Sequence, residues 1–142
     1  MPQALSQLRT QLLQLLEQIQ QLRQPFLERE PLLPGSVYTL KRRCGKPNCR
    51  CATGELHHTE ILSYRGGPRP RNITPPPGQL RGVKQGTEAY RRFRQARAQL
   101  VKLHRQLLQL IDTLEAERVR QGQRLFAELL PPVPAPARPS KR

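Results

Sequence analysis

Eight consecutive residues in the middle of the chain, Cys44-Gly45-Lys46-Pro47-Asn48-Cys49-Arg50-Cys51, hold all of its cysteines, and His57 and His58 follow shortly after. Thiolate sulfur and imidazole nitrogen are the donors that zinc prefers, four at a time in a tetrahedron. Gly45, Pro47 and Asn48 are turn formers, so the chain can fold back and bring Cys44 close to Cys49. Cys51 would then supply a third thiolate, and His57 or His58 the fourth ligand. Adjacent residues on a strand point to opposite faces, so one histidine at most would face the ion. Lys46 and Arg50 would offset the negative charge of three thiolates and favour the ionised form. The spacing C-x4-C-x-C is not the paired C-x2-C of zinc ribbons, and a second reading stands beside the first. In it, three reduced thiols sit in a basic turn whose backbone amides form a nest for an anion. A catalytic or redox cysteine is a third reading, and it lacks a base oriented by an acid.

The cysteine segment lies within a strongly basic region. The 142-residue chain carries a formal charge of +15, with eight basic against two acidic side chains in 36–80 and eight against one in 81–105. Such a concentration attracts polyanions, nucleic acid first among them. Lys41, Arg42 and Arg43 lead into the cysteine turn, and Lys46 and Arg50 lie inside it. Arg91, Arg94, Lys102 and Arg105 fall on one side of a helical pattern, away from its leucines, where they could follow phosphates. A merely solvated basic face fits the same residues. Tyr38 and Tyr64 could stack bases on a sheet surface, although in so small a sheet they are expected to be its core.

Two helices are expected to frame this region. Leu5, Leu8, Leu12, Leu15, Ile19 and Leu22 step alternately by three and four residues, which is a coiled-coil seam. Leu13 and Leu16 widen it. This predicts a helix over 3–24, stopped by Pro25. Phe93, Ala96, Leu100, Leu103, Leu107, Leu110 and Leu114 repeat the spacing, broadened by Leu108 and Ile111. This predicts a second helix from Thr87, as N-cap, to about Arg120. The seams could meet within one chain or across a homodimer. Between them, 37–43, 58–65 and 71–74 read as three short antiparallel strands, with Gly66-Gly67 as a hairpin turn. So small a sheet needs a metal or the helices to hold it. The fold class is therefore mainly α with a small β insert (α+β). The expected divisions are 1–30 for the first helix, 31–80 for the basic β module and 81–122 for the second helix. A short helix and a disordered Pro-rich basic tail occupy 123–142.

The stretches Leu33-Pro34-Gly35-Ser36-Val37-Tyr38 and Lys41 to Cys51, with Leu62-Ser63-Tyr64-Arg65 and Tyr90-Arg91-Arg92-Phe93-Arg94, resemble a family of short uncharacterised prokaryotic proteins. That family, a domain of unknown function sometimes encountered near mobile elements, has a CGKP-x-C-x-C signature. A His, an LSYR-like strand and a YRRFR-like helix start follow it. The resemblance covers roughly 33–114. It implies that His57, at the position of the family's His, is the ligand alongside Cys44, Cys49 and Cys51. It also gives slight weight to a DNA-related role. The chain departs from the family at His58-Thr59-Glu60-Ile61, and its hairpin is unusually rich in proline.

Composition narrows the function classes. Apolar residues are 36% and aromatics 4%, so a large globular core is not expected. The sequence holds no phosphate loop, no H-E-x-x-H and no nucleophile elbow. Glu55, Glu60 and Glu88 are too scattered for a two-metal nuclease. The glutamine-rich start is unlike a signal peptide, and clustered, odd-numbered cysteines fit a reducing cytoplasm. The expectation is a non-enzymatic nucleic-acid-binding accessory protein, DNA favoured, with zinc as its cofactor and no membrane association. A coiled-coil interaction adaptor without nucleic-acid affinity is the alternative.

Overall fold

The computed structural model of the protein describes residues 4–132 and 134–135. The architecture is α+β: helices and a three-stranded antiparallel sheet. In chain order the elements are α1 (Leu5–Gln21), α2 (Arg23–Leu27), β1 (Gly35–Arg42), β2 (His57–Tyr64), β3 (Arg71–Ile73) and α3 (Leu80–Leu125). Two compact units emerge, Met1–Gln18 with Leu103–Arg142, and Ile19–Lys102. Both α1 and α3 run from one unit into the other.

In the first unit the three–four spacing becomes the buried stripe. Leu8 is 1% exposed and Leu103 is 4% exposed, while Leu5, Leu12, Leu15, Leu107, Leu110 and Leu114 are half-buried. Burial of one such leucine stabilises by about 1.5–3 kcal/mol. Gln11, Gln14 and Gln18 of α1 and Gln106, Gln109 and Thr113 of α3 line a common groove above Leu8, Leu15 and Leu110. Leu13, Leu16, Leu108 and Ile111 do not widen the buried stripe as the sequence reading expected. They are solvent-exposed, because one helix against another covers only a narrow face.

The helix ends differ from the sequence reading. Pro25 does not stop the first helix: α1 ends at Gln21, and Pro25 sits within the first turn of α2, where its missing N–H costs nothing. Thr87 is not an N-cap. It lies inside α3, 5% exposed, and its hydroxyl donates to the Lys84 carbonyl at 3.0 Å. The helix begins at Leu80, one residue after Pro75-Pro76-Pro77-Gly78, and runs through Gly82 and Gly86. Gly86 has a packing reason to lack a side chain. Leu33 packs against it, its N–H donating to the Gly86 carbonyl at 3.0 Å, and a Cβ there would lie 3.0 Å from Leu33 Cβ. At the other end α3 continues through Gly122 to Leu125 and finishes in turns at 126–129, instead of a separate short helix. Of the tail expected to be disordered, residues 133 and 136–142 lie outside the described residues.

In the second unit the strand order is β1-β2-β3, with Gly35 opposite Tyr64 and Arg42 opposite His57 at the two ends of the first pair. Ile61 and Leu62 are both buried. Neighbours on a strand face opposite ways, so both sides of the sheet are covered at β2. The unit is tied further by Phe26 edge-on to Phe93, ring centres 5.2 Å apart. Arg92 bridges Glu28 at 3.2 Å and Glu30 at 2.9 Å.

Candidate functional site

The β1–β2 connection is the cysteine segment. Arg42 and His57 are the last pair of the ladder, so the sheet itself delivers both ends of the segment to one place. Between them Gly45 adopts φ +81°, a left-handed turn that glycine takes without strain. The Cys49 N–H then donates to the Lys46 carbonyl at 3.2 Å, closing the turn. Arg50–Ala52 form one turn of 3-10 helix, which carries Cys51 inward until it is 1% exposed.

The outcome is a cluster of four ligand atoms, from Cys44, Cys49, Cys51 and His57, all within 4.8 Å of one another. Cys44 Sγ lies 3.4 Å from Cys51 Sγ, and Cys49 Sγ lies 3.1 Å from His57 Nε2. A tetrahedral ion with bonds of about 2.3 Å to sulfur and 2.0 Å to nitrogen separates its ligands by about 3.5–3.8 Å. The four atoms are thus close enough together to be compatible with one metal ion. His58 faces away: it pairs with Lys41 across the ladder and is not in the cluster.

The electrostatics suit a cation. The Lys46 backbone amide first, and then hydrogen bonding from Cys51, hold the Cys44 thiol at about 6, far below its ordinary value. Cys51 moves the other way. The Cys44 N–H, donating to its sulfur at 3.3 Å, favours the thiolate, but burial and the neighbouring sulfurs push the thiol up overall. One sulfur therefore favours the ionised form near neutrality, and Cys51 would have to give up its proton to ligate a cation.

The basic residues named from sequence occupy three places. Lys41 and Arg42 end β1, while Arg43, Lys46 and Arg50 surround the cysteine cluster, all exposed. Arg91 and Arg94 line a cleft of about 800 Å³ between β1, along Gly35–Thr39, and one stripe of α3. Lys102 and Arg105 are exposed further along α3, Arg105 already in the other unit. Sequence reasoning missed Lys84, Tyr90 and Glu60, which line the same cleft. The signal was the spacing Lys84, Thr87, Arg91, Arg94, Ala98, a second three–four stripe hidden when the helix was begun at Thr87. Tyr38 was expected in the core, yet it is 41% exposed and lines the cleft. As an edge-strand residue it has a neighbouring strand on one side alone. Tyr64 is half-buried, with its ring against Gly66.

The chain belongs to the family described as a domain of unknown function (DUF6788), whose sequence model matches residues 5–85. The match takes in α1, the sheet and the whole cysteine cluster. It begins well before residue 33 and ends before Tyr90-Arg91-Arg92-Phe93-Arg94, so that part of the resemblance lies outside it. No curated protein and no solved structure matches the chain. Among the described residues no helix is long and apolar enough to cross a membrane.

Proposed function

We propose that the protein is a non-enzymatic nucleic-acid-binding accessory factor, DNA favoured, whose β module is stapled by zinc at Cys44, Cys49, Cys51 and His57. The donor set argues for that ion: three soft thiolates with one imidazole, in a four-cornered arrangement, suit zinc better than a hard cation. No corner is left for water, so the ion is structural.

The observation that carries the binding reading is spatial. Arg91 and Arg94 lie some forty residues beyond the cysteine segment, yet they share a cleft with β1. The far end of β1 bears Lys41 and Arg42, next to Arg43, Lys46 and Arg50. One strand thus joins two basic groups into a single track on which a phosphate backbone can lie.

The test is fluorescence anisotropy with labelled duplex DNA, single-stranded DNA and RNA across a salt series. Each phosphate contact adds about 0.7–0.9 to the slope of log affinity against log salt. The double change Arg91→Ala, Arg94→Ala should flatten the slope by one to two such steps. Affinity no greater than that of a generic polycation, with the slope unaltered in the variant, would refute the proposal.

A second reading has its own observation. Leu13, Leu16, Leu108 and Ile111 remain exposed although they are apolar. They would suit a partner helix or a second copy, giving a coiled-coil adaptor or homodimer whose charge is merely solubilising.

A further inference from the structure

We infer that the cleft between β1 and α3 is a site for an unstacked nucleotide, which makes the protein selective for single-stranded over duplex nucleic acid. The inference rests on the proposed function and names its substrate class.

Three features of the cleft point this way. Its size, about 800 Å³, lies within the roughly 300–1,000 Å³ of ordinary ligand sites. A duplex cannot enter so small a space, whereas one base with its sugar can. Tyr38 and Tyr90, from opposite walls, are the aromatic rings that line it. Exposed aromatic faces beside a positive groove are the platform on which single-strand binders stack bases of any sequence.

The cations are graded in a way that fits a phosphate. Lys84 is held by Glu60 at 3.6 Å and Arg91 by Glu88 at 2.7 Å. Among the described residues no carboxylate pairs with Arg94, so its guanidinium is free to take a phosphate in two parallel hydrogen bonds. The carboxylates of Glu60 and Glu88 oppose a deep, indiscriminate run of phosphates through the cleft. A single phosphate at Arg94, with its base against the tyrosines, avoids both. The rest of the backbone can then follow β1 outward to Lys41, Arg42 and Arg43.

Tyr38 is suited to a test because it is exposed and its removal leaves the sheet register intact. The full-length, zinc-loaded protein would be titrated into fluorescein-labelled oligo-dT and into a duplex of equal length, at two salt concentrations. We expect the single strand to bind more tightly. Tyr38→Ala should weaken it by about 5- to 150-fold, the range for one base–aromatic stack, with the salt slope unchanged. Tyr38→Phe should keep the affinity. The chain has no Trp, so emission comes from its tyrosines. Binding should quench it in wild type and less so in Tyr38→Phe. Duplex binding that equals or exceeds single-strand binding, with Tyr38→Ala at wild-type affinity, overturns the inference and leaves the nucleic-acid reading standing. Failure to bind either ligand above polycation level overturns both. Circular dichroism of Tyr38→Ala matching wild type excludes misfolding as the cause of a loss.

Discussion

Replacing Cys49 with serine removes one corner of the four-atom cluster while changing the side-chain volume very little. Within the sheet, Ile61 and Leu62 are the buried aliphatic residues, together contributing about 3–6 kcal/mol. A structural zinc in a small domain contributes about 10–16 kcal/mol. An ion held by the cluster would therefore be the larger support of residues 35–73, and loss of one of its four ligands should lower its affinity. We expect Cys49→Ser to purify with less than one zinc per chain. Its β1, β2 and β3 amides should exchange rapidly in hydrogen–deuterium measurements, while α1 and α3 stay protected over 8–18 and 103–114. Helix protection persists because Leu8 and Leu103 are buried in the other unit, which contains none of the cluster. A variant that keeps full metal content together with a dispersed β-sheet NMR spectrum would refute the reasoning.

Cys44 should be the most reactive thiol of the metal-free protein, with iodoacetamide alkylation half-maximal near pH 6, because its folded thiol lies at about 6. Since that value is below the unfolded 9.0, the stabilisation is complete above pH 9 and fades as pH falls through about 6, which urea melts of the apo protein would follow. Two glycines of α3 should respond in opposite directions. Gly86→Val drives a branched side chain into Leu33 and should destabilise by about 1–3 kcal/mol. Gly82→Ala meets nothing within 4 Å and should stabilise by about 0.5–1 kcal/mol, both read from thermal melts. Leu8→Ala should cost about 2–5 kcal/mol. Leu13→Gln, on an exposed residue, should stay within about 0.5 kcal/mol. If the exposed leucines join two copies, sedimentation equilibrium will show Leu13→Gln shifted toward monomer, and an unchanged mass distribution would exclude that role.

The leucine stripes, the three strands and the convergence of the cysteines were legible in the sequence because each depends on local spacing, whereas spacing left His57 and His58 open and the resemblance pointed to His57. Leu5 to Leu22 could be buried along one face only as a helix. Cys44, Cys49 and Cys51 needed only a tight turn to converge. The start of α3 was not legible, because Gly82 and Gly86 lower helix propensity, and the residue that packs on Gly86, Leu33, lies about fifty residues upstream. With the start misplaced, Lys84 dropped out of the pattern and the second stripe of α3 went unseen. Tyr38 was misread for a related reason. Alternation identifies the strand, but only the strand order shows that β1 is an edge and that its tyrosine meets α3 across a cleft.

That edge position places the cleft and the cysteine cluster along one strand. β1 pairs with β2 along one side and faces the cleft along the other, and two residues past its last pair comes Cys44. Unpairing that begins at Arg42–His57 would travel toward Val37–Leu62 and so displace Tyr38 and Thr39, although none of the four ligands lines the cleft. Metal removal should therefore weaken single-strand binding by more than Tyr38→Ala alone, since it also scatters Lys41, Arg42 and Arg43. Combined with chelation, Tyr38→Ala should add little, a non-additivity expected when two changes act on one element. Full additivity of the two losses in anisotropy titrations would mean that the strand does not link them.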